Sequence, residues 1–312
     1  MKLSIVTAIV ACAAVLAFQA PARAQNLHSW VASNGNNAND CSRASPCASF
    51  QGAYSKTNAG GEITCVDSGD FGNGIFNQSV TVNCEGVTMA TASFFLGGEA
   101  TDTVILRGLD IDATGNTGGS TVRYIGSGTL IIDRCKLSGR LSSDGGINFT
   151  PQGAGRLVVT DSIVAYNGNG SAGAGVKIIP QPGGSARVTL SRVKVSGNTF
   201  GVAADGSAST GGINMTVRDS VLSSNANDGI VATTSPGHAA IGVLVSGTAS
   251  TNNGFGIRSI GPNVTVRVKN SDVAGNGTGL AALSGGALLT FGNNRVRANG
   301  NNGAFTGSET LQ

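Results

Sequence analysis

Two stretches decide the reading of this chain. They are Val193-Lys194-Val195-Ser196-Gly197-Asn198-Thr199-Phe200-Gly201-Val202 and Val221-Leu222-Ser223-Ser224-Asn225-Ala226-Asn227-Asp228-Gly229-Ile230. In each, an aliphatic residue is followed three residues later by asparagine, and then by glycine with an apolar neighbour. The same spacing places Asn167, Asn198, Asn225, Asn252, Asn276 and Asn299 behind the anchors Val164, Val195, Leu222, Ala249, Val273 and Val296. It extends upstream to Leu137 and Ile111, where Arg140 and Thr114 stand in place of asparagine. From Ile111 to Val296 the steps are 26, 27, 31, 27, 27, 24 and 23 residues. A tandem unit of that length is one turn of a solenoid, which buries its apolar face only against its neighbours.

Columns at fixed offsets from the anchors test that idea. Five residues before them stand Leu106, Ile132, Val159, Leu190, Val217, Leu244, Val268 and Phe291. Seven before them stand Val104, Leu130, Leu157, Val188, Met215, Gly242, Val266 and Leu289. The column between is mixed, as expected where a strand alternates between core and solvent. The pattern predicts an all-β, single-domain parallel β-helix of about ten coils. The asparagines fall in the turn after each anchored strand. Their amides both donate and accept, and asparagine tolerates left-handed backbone, so they form a structural ladder from coil to coil.

Composition sets the compartment and excludes some functions. Lys2, the apolar run Leu3 to Phe18, and Ala22-Arg23-Ala24 read as a secretory signal peptide over residues 1–24, cleaved after Ala24. The run is too short for a stable membrane anchor, and the protein is expected to be secreted or periplasmic. Removing Lys2 and Arg23 takes Lys plus Arg from 20 to 18 against 17 Asp plus Glu, so the mature chain is nearly neutral. With no basic run or aromatic-interleaved patch, nucleic acid is not an expected partner. The 48 glycines beside only 7 prolines, with abundant aliphatics, imply tight turns between short buried strands rather than disorder. Export permits disulfides, and Cys41 with Cys47 and Cys65 with Cys84 are the pairs close in sequence. Cys135 is left over as a small interior residue. Nothing in the sequence sets an oligomeric state.

Near the N-terminus, Cys47, Phe50, Ala53 and Tyr54 recur at helical spacing until Gly60-Gly61, which predicts a short capping helix. The run of Phe50-Gln51-Gly52-Ala53, Gly60-Gly61-Glu62-Ile63, Asp67 to Phe71 and Ser79-Val80-Thr81-Val82 resembles the start of right-handed parallel β-helix proteins of the pectin-lyase-like superfamily. With the repeats, this resemblance spans nearly all of the mature chain. The expected organisation is a cap segment over 25–61, the β-helix over 62–305 and a tail over 306–312.

The resemblance implies a polysaccharide partner and directs attention to charged residues. Pectate lyases hold calcium with several outer-face carboxylates and use an arginine or lysine as base. The nearest approach here is Asp110 with Asp112, but Lys136 falls beside Asp110 and no second carboxylate row joins them, so no cofactor is expected and calcium is a weak alternative. Polygalacturonases carry Asn-Thr-Asp and Gly-His-Gly where this chain has Asn198-Thr199-Phe200 and Gly237-His238-Ala239. Three residues before their anchors, Arg134, Asp161, Arg192 and Asp219 alternate in sign along four coils, which reads as a register-setting charge ladder and as the best catalytic candidate. Long segments, Thr150 to Arg156, Pro180 to Arg187, Asp205 to Asn214 and Thr233 to Ile241, recur at one place in the coil. They are expected to wall a groove in which Arg156 and Arg187 stack as binding residues. The reading that follows is a secreted, non-catalytic binding or structural protein of the cell envelope or extracellular space. The alternative is a lyase or epimerase acting on an acidic glycan.

Overall fold

The computed structural model describes residues 25–90 and 92–310; the signal peptide reading of residues 1–24 lies outside them. Apolar side chains at every second position of short strands, separated by turns, wind the chain through three parallel sheets. Sheet I has 12 strands, beginning with Asn26–Val31 and Thr57–Cys65 and ending with Ala287–Thr290 and Gly307–Ser308. Sheet II has nine strands, mostly of three residues, from Thr88–Ala90 to Arg295–Arg297. Sheet III has nine, from Gly74–Phe76 to Thr278–Leu283. From Val80 to Arg297 successive coils visit I, II and III in that order, which is the expected β-helix.

The core is the stack predicted from the columns, with one local change of register. Val104, Leu130, Leu157, Val188 and Met215 pair in succession and are buried, as are Leu106, Ile132, Val159, Leu190 and Val217. In the next coil, however, Leu222 pairs with Ser250 rather than Ala249. Val243 and Val245 therefore fill the two core columns, while Gly242 and Leu244 face outward. Serine is acceptable inside because its hydroxyl donates to the Gly256 carbonyl at 2.8 Å. In the last coil, Val266 pairs with Leu288 and Val268 with Thr290, so Leu289 and Phe291 leave the core.

The asparagine ladder corrects accordingly: its fourth member is Asn253, not Asn252. Asn225 donates from its backbone N–H and from Nδ2 to Asn253 Oδ1 at 3.0 and 2.9 Å. Asn253 donates likewise to Asn276 Oδ1 at 2.9 and 3.0 Å. Asn167, Asn198, Asn276 and Asn299 make the same paired donation to the next member, the series ending on Asn302. The second Nδ2 hydrogen of each goes back to an anchor carbonyl of the preceding coil, as from Asn253 to Leu222 at 3.1 Å. The left-handed residue in these turns is the one before the asparagine: Tyr166 (φ 56°), Ser224 (φ 56°), Asn252 (φ 57°) and Ala298 (φ 55°). The asparagine pattern alone does not separate the two positions of Asn252-Asn253. Beside the ladder, Gly229 is required by space, since a Cβ there would lie 2.9 Å from Asn253 Nδ2 and 2.3 Å from Ser250 Oγ.

The ends differ from the expected boundaries. Asn26–Val31, within the segment read as a cap, already forms the first strand of sheet I, and Gly307–Ser308, within the tail, forms the last. The short helix is Phe50–Tyr54, capped by Ser49, whose hydroxyl accepts from the Gly52 N–H at 3.1 Å. Phe50 and Ala53 seat it on the core. Disulfides Cys41–Cys47 and Cys65–Cys84 staple this end. Cys135 is buried, and burial pushes its thiol up to about 12.

The ladder predicts opposite outcomes at adjacent residues. Asn253→Ala strands the Asn225 donors and should cost about 1–3 kcal/mol in urea denaturation. Asn252→Gly occupies a left-handed position that glycine adopts freely and should stay within about 0.5 kcal/mol of the parent.

Candidate functional site

The alternating strip lies at the turn leaving sheet I. Arg134, Asp161, Arg192 and Asp219 all adopt left-handed backbone, with φ of 50°, 51°, 54° and 51°. Gly108 and Gly247 occupy the same place in flanking coils at φ 65° and 58°. Non-glycine residues pay for that conformation locally; ion pairs hold Arg134, Asp161 and Arg192, whereas Asp219 makes none among the described residues. Arg192 grips Asp161 through Nε and Nη2, both at 2.7 Å. Arg134 pairs with Glu85 and, at 3.2 Å, with Asp133. These bonds raise the pKa of Arg192 and Arg134 and lower that of Asp161. An arginine held charged by a carboxylate is a poor proton acceptor.

Asp110 and Asp112 both stand on one strand of sheet II, Asp110–Asp112. Lys136 lies 3.2 Å from Asp110. Asp112 accepts from the Thr114 hydroxyl at 2.5 Å and from its N–H at 3.0 Å, which lowers the Asp112 pKa. The described residues contain no group of three or more metal-ligating side chains suited to an ion.

Arg156 and Arg187 do come together. They pair in register on adjacent strands of sheet I, and both are exposed. The long segments cross from sheet III to sheet I beside them. Their face adds cations that the sequence reading did not select: Arg218 and Lys269, two strands apart on one outward row. None of these four makes an ion pair among the described residues, whereas Arg267 on the same face pairs with Glu309. A shallow depression of about 350 Å³ runs over Arg156, Arg187, Asn214, Gly242 and Arg267.

Sheet III presents a second surface missed in the sequence. Its central outward row runs Ile75, Phe95, Arg123, Asn148, Lys177, Ala203, Val231, Arg258 and Ala281. Arg258 crosses to the preceding coil and pairs with Asp228, while its guanidinium sits 4.3 Å from the Phe255 ring centre. Asp228 is fully buried, its Oδ1 has no hydrogen-bond partner, and burial pushes its carboxyl up to about 6. In the sequence, Asp228 is simply the residue before the repeat glycine Gly229. The signal that was available is an acid at a position where neighbouring coils carry Phe200 and Phe255.

The chain is similar to a pectate lyase, Pel9A, at a TM-score of 0.67 and 16% identity, covering 93% of this chain and 80% of that one. The fold is therefore the right-handed, pectin-lyase-like β-helix. Weaker likenesses are to a rhamnogalacturonan lyase (TM-score 0.45, 12% identity, covering 91% and 89%) and to a GH136 lacto-N-biosidase from Eubacterium ramulus (TM-score 0.43, 11% identity, covering 87% and 68%). No protein-family profile and no curated protein sequence matches the chain.

Within this β-helix, Asp228 imposes a pH dependence of known sign. Its folded carboxyl titrates near 6 against 3.8 unfolded, so between those values the native state holds a proton that the unfolded state has released. Its contribution to stability therefore falls as pH rises through that window, by about 3 kcal/mol. Asp228→Asn should gain on the parent by that amount between about pH 4 and pH 7 in denaturation experiments, whatever the constant offset from losing the ion pair.

Proposed function

We propose that this protein is exported and binds an acidic polysaccharide along the outer face of sheet I, without cleaving it. The observation that carries the reading is Arg156 beside Arg187: two exposed guanidinium groups paired in register on neighbouring strands, with no carboxylate partner. Neighbouring strands are about 4.8 Å apart, and like charges set opposite one another in a sheet destabilise it. A polyanion laid across the strands relieves that repulsion and accepts bidentate hydrogen bonds, which arginine supplies to carboxylate. Arg218 and Lys269 continue the positive face toward the C-terminal coils. The long segments entering sheet I lie on one side of this row and recur along the strand-crossing direction, which suits a linear chain. Two disulfides agree with an oxidising compartment.

Against turnover stand the arginines best placed for proton abstraction, because Arg134 and Arg192 are held protonated by Glu85 and Asp161. The charge strip then serves the register, with each exposed pair contributing about 0–1 kcal/mol.

Residues 25–312 would be titrated with polygalacturonate and alginate by calorimetry, with and without calcium. Binding should weaken steeply with added salt, and Arg156→Ala/Arg187→Ala should lose about tenfold or more in affinity, about 1.4 kcal/mol. The same double variant should be equally or slightly more stable than the parent, since repulsion is removed; a marked loss of stability would assign these arginines to the scaffold instead. Accumulation of unsaturated product, followed by ultraviolet absorbance, would overturn the non-catalytic reading.

A further inference from the structure

We propose that the trough on sheet III is a second, separate binding site, for a small carboxylic acid with an aromatic or otherwise apolar body, anchored by Arg258. The trough holds about 300 Å³ and is lined chiefly by Ile179, Phe200, Ala203, Val231 and Ile260 around the Arg258 side chain. That volume matches the small end of ligand pockets, and an apolar lining with very few convergent polar groups is their usual character. A sugar ring, with hydroxyls on its rim, would leave most of them unpaired against this lining.

The anchor is built rather than incidental. Arg258 is only one-fifth exposed, its Nη2 bonds Asp228, and its guanidinium lies over the Phe255 ring. Those contacts fix its plane before any ligand arrives, which reduces the ordering cost of binding. Only its Nη2 makes a hydrogen bond, to Asp228, so the Nη1 end of the group retains unused donors. Lys177 lies on the same outward row, three strands away, but is occupied by Asp144 at 3.7 Å and the Ser143 carbonyl at 3.2 Å. Arg258 is therefore the cation that an incoming carboxylate meets.

The Asp228 neighbour makes this site responsive to acid. Arg258 on the next strand is the charged group in contact with it; the trough lining adds Lys177 and Asp205, with Asp144 paired to Lys177. Ionised Asp228 compensates the Arg258 charge; protonated Asp228 leaves that charge to the ligand. With the Asp228 carboxyl near 6, anion binding should strengthen as the solution is acidified through that value. A ligand acid of ordinary pKa, about 4, is still largely ionised at about pH 5.5.

The test uses residues 25–312 and benzoate as the probe, with benzyl alcohol and D-galacturonate as comparisons, followed by NMR titration at about pH 5.5 and pH 7.5. Benzoate should bind in preference to both comparisons and several-fold more tightly at the lower pH. Arg258→Gln should weaken it about tenfold or more. Because Arg258→Gln leaves Asp228 without its partner and can impair folding, Ala203→Phe is the second variant; it fills the floor from the outward side and should abolish binding. Asp228→Asn should retain binding but flatten its pH response. Equal binding of benzyl alcohol, tighter binding of galacturonate, or benzoate affinity unchanged in Ala203→Phe would overturn the proposal. The Arg156→Ala/Arg187→Ala variant should bind benzoate as the parent does, so failure at this site and failure at sheet I are read separately.

Discussion

From Asn167 onward, each coil of this protein depends on the paired hydrogen bonds that one asparagine donates to the side-chain oxygen of the next. A ladder asparagine, only 1–4% exposed from Asn167 to Asn276, accepts two hydrogen bonds at Oδ1 and donates both Nδ2 hydrogens to different coils. Such a group is costly to bury alone and close to fully satisfied only when its neighbours are in register. Hydrophobic columns of valine and leucine tolerate a one-residue slip with little loss of apolar area if small residues flank them. The amide column does not, because a slip removes both partners at once. The ladder thus supplies specificity where the aliphatic stack supplies bulk stability. At its upstream end Asn167 Oδ1 accepts from the backbone N–H of Arg140 at 3.1 Å, and the Arg140 side chain turns inward to the Gly118 carbonyl and the Ser93 hydroxyl. The column begins on a residue that needs no matching amide above it.

This explains how much of the fold could be read from the sequence. The anchors, core columns and turns repeat one physical requirement in every coil, so the signal accumulates, and both disulfide pairs were legible from proximity. The misreadings occur where two residues meet the requirement equally well in sequence but not in space. At Ala249-Ser250 the apolar pattern favours the alanine, yet the serine goes inside with its hydroxyl satisfied, and Asn252-Asn253 shifts with it. In the last coil an added residue in the turn before Arg295–Arg297 displaces Leu289 and Phe291. Strands at the two ends, Asn26–Val31 and Gly307–Ser308, were not legible because each is single and outside the repeat.

Charged residues divide into those the scaffold consumes and those it leaves. Arg107, Lys136, Arg192 and Arg295 each have a carboxylate in an adjacent coil, and Arg134 has Asp133 beside it and Glu85 two coils away. Pairs of this kind are worth little individually when exposed, but they penalise misaligned stacking. Arg156, Arg187, Arg218 and Lys269 are left over on one face, although the chain is nearly neutral. Overall charge therefore conceals the local field. Column reading could place Arg156 beside Arg187, because both begin equivalent strands. It could not show which cations remain unpaired, since pairing depends on side-chain reach across turns.

The Asp228–Arg258 pair illustrates the opposite limit. A strand position that faces outward on a β-helix is ordinarily solvated, and an acid there carries no signal. Here Arg258 folds over Asp228 from the following coil and the Phe255 ring closes beneath it, so an outward-facing carboxylate loses its water. A scaffold selected only for stability would gain by exchanging such a pair for apolar side chains, since desolvation of both ions offsets most of their attraction. Its presence beside an apolar trough, in a fold whose register is already secured by the ladder, argues that the pair answers to something other than folding. A ligand that uses the guanidinium supplies that reason.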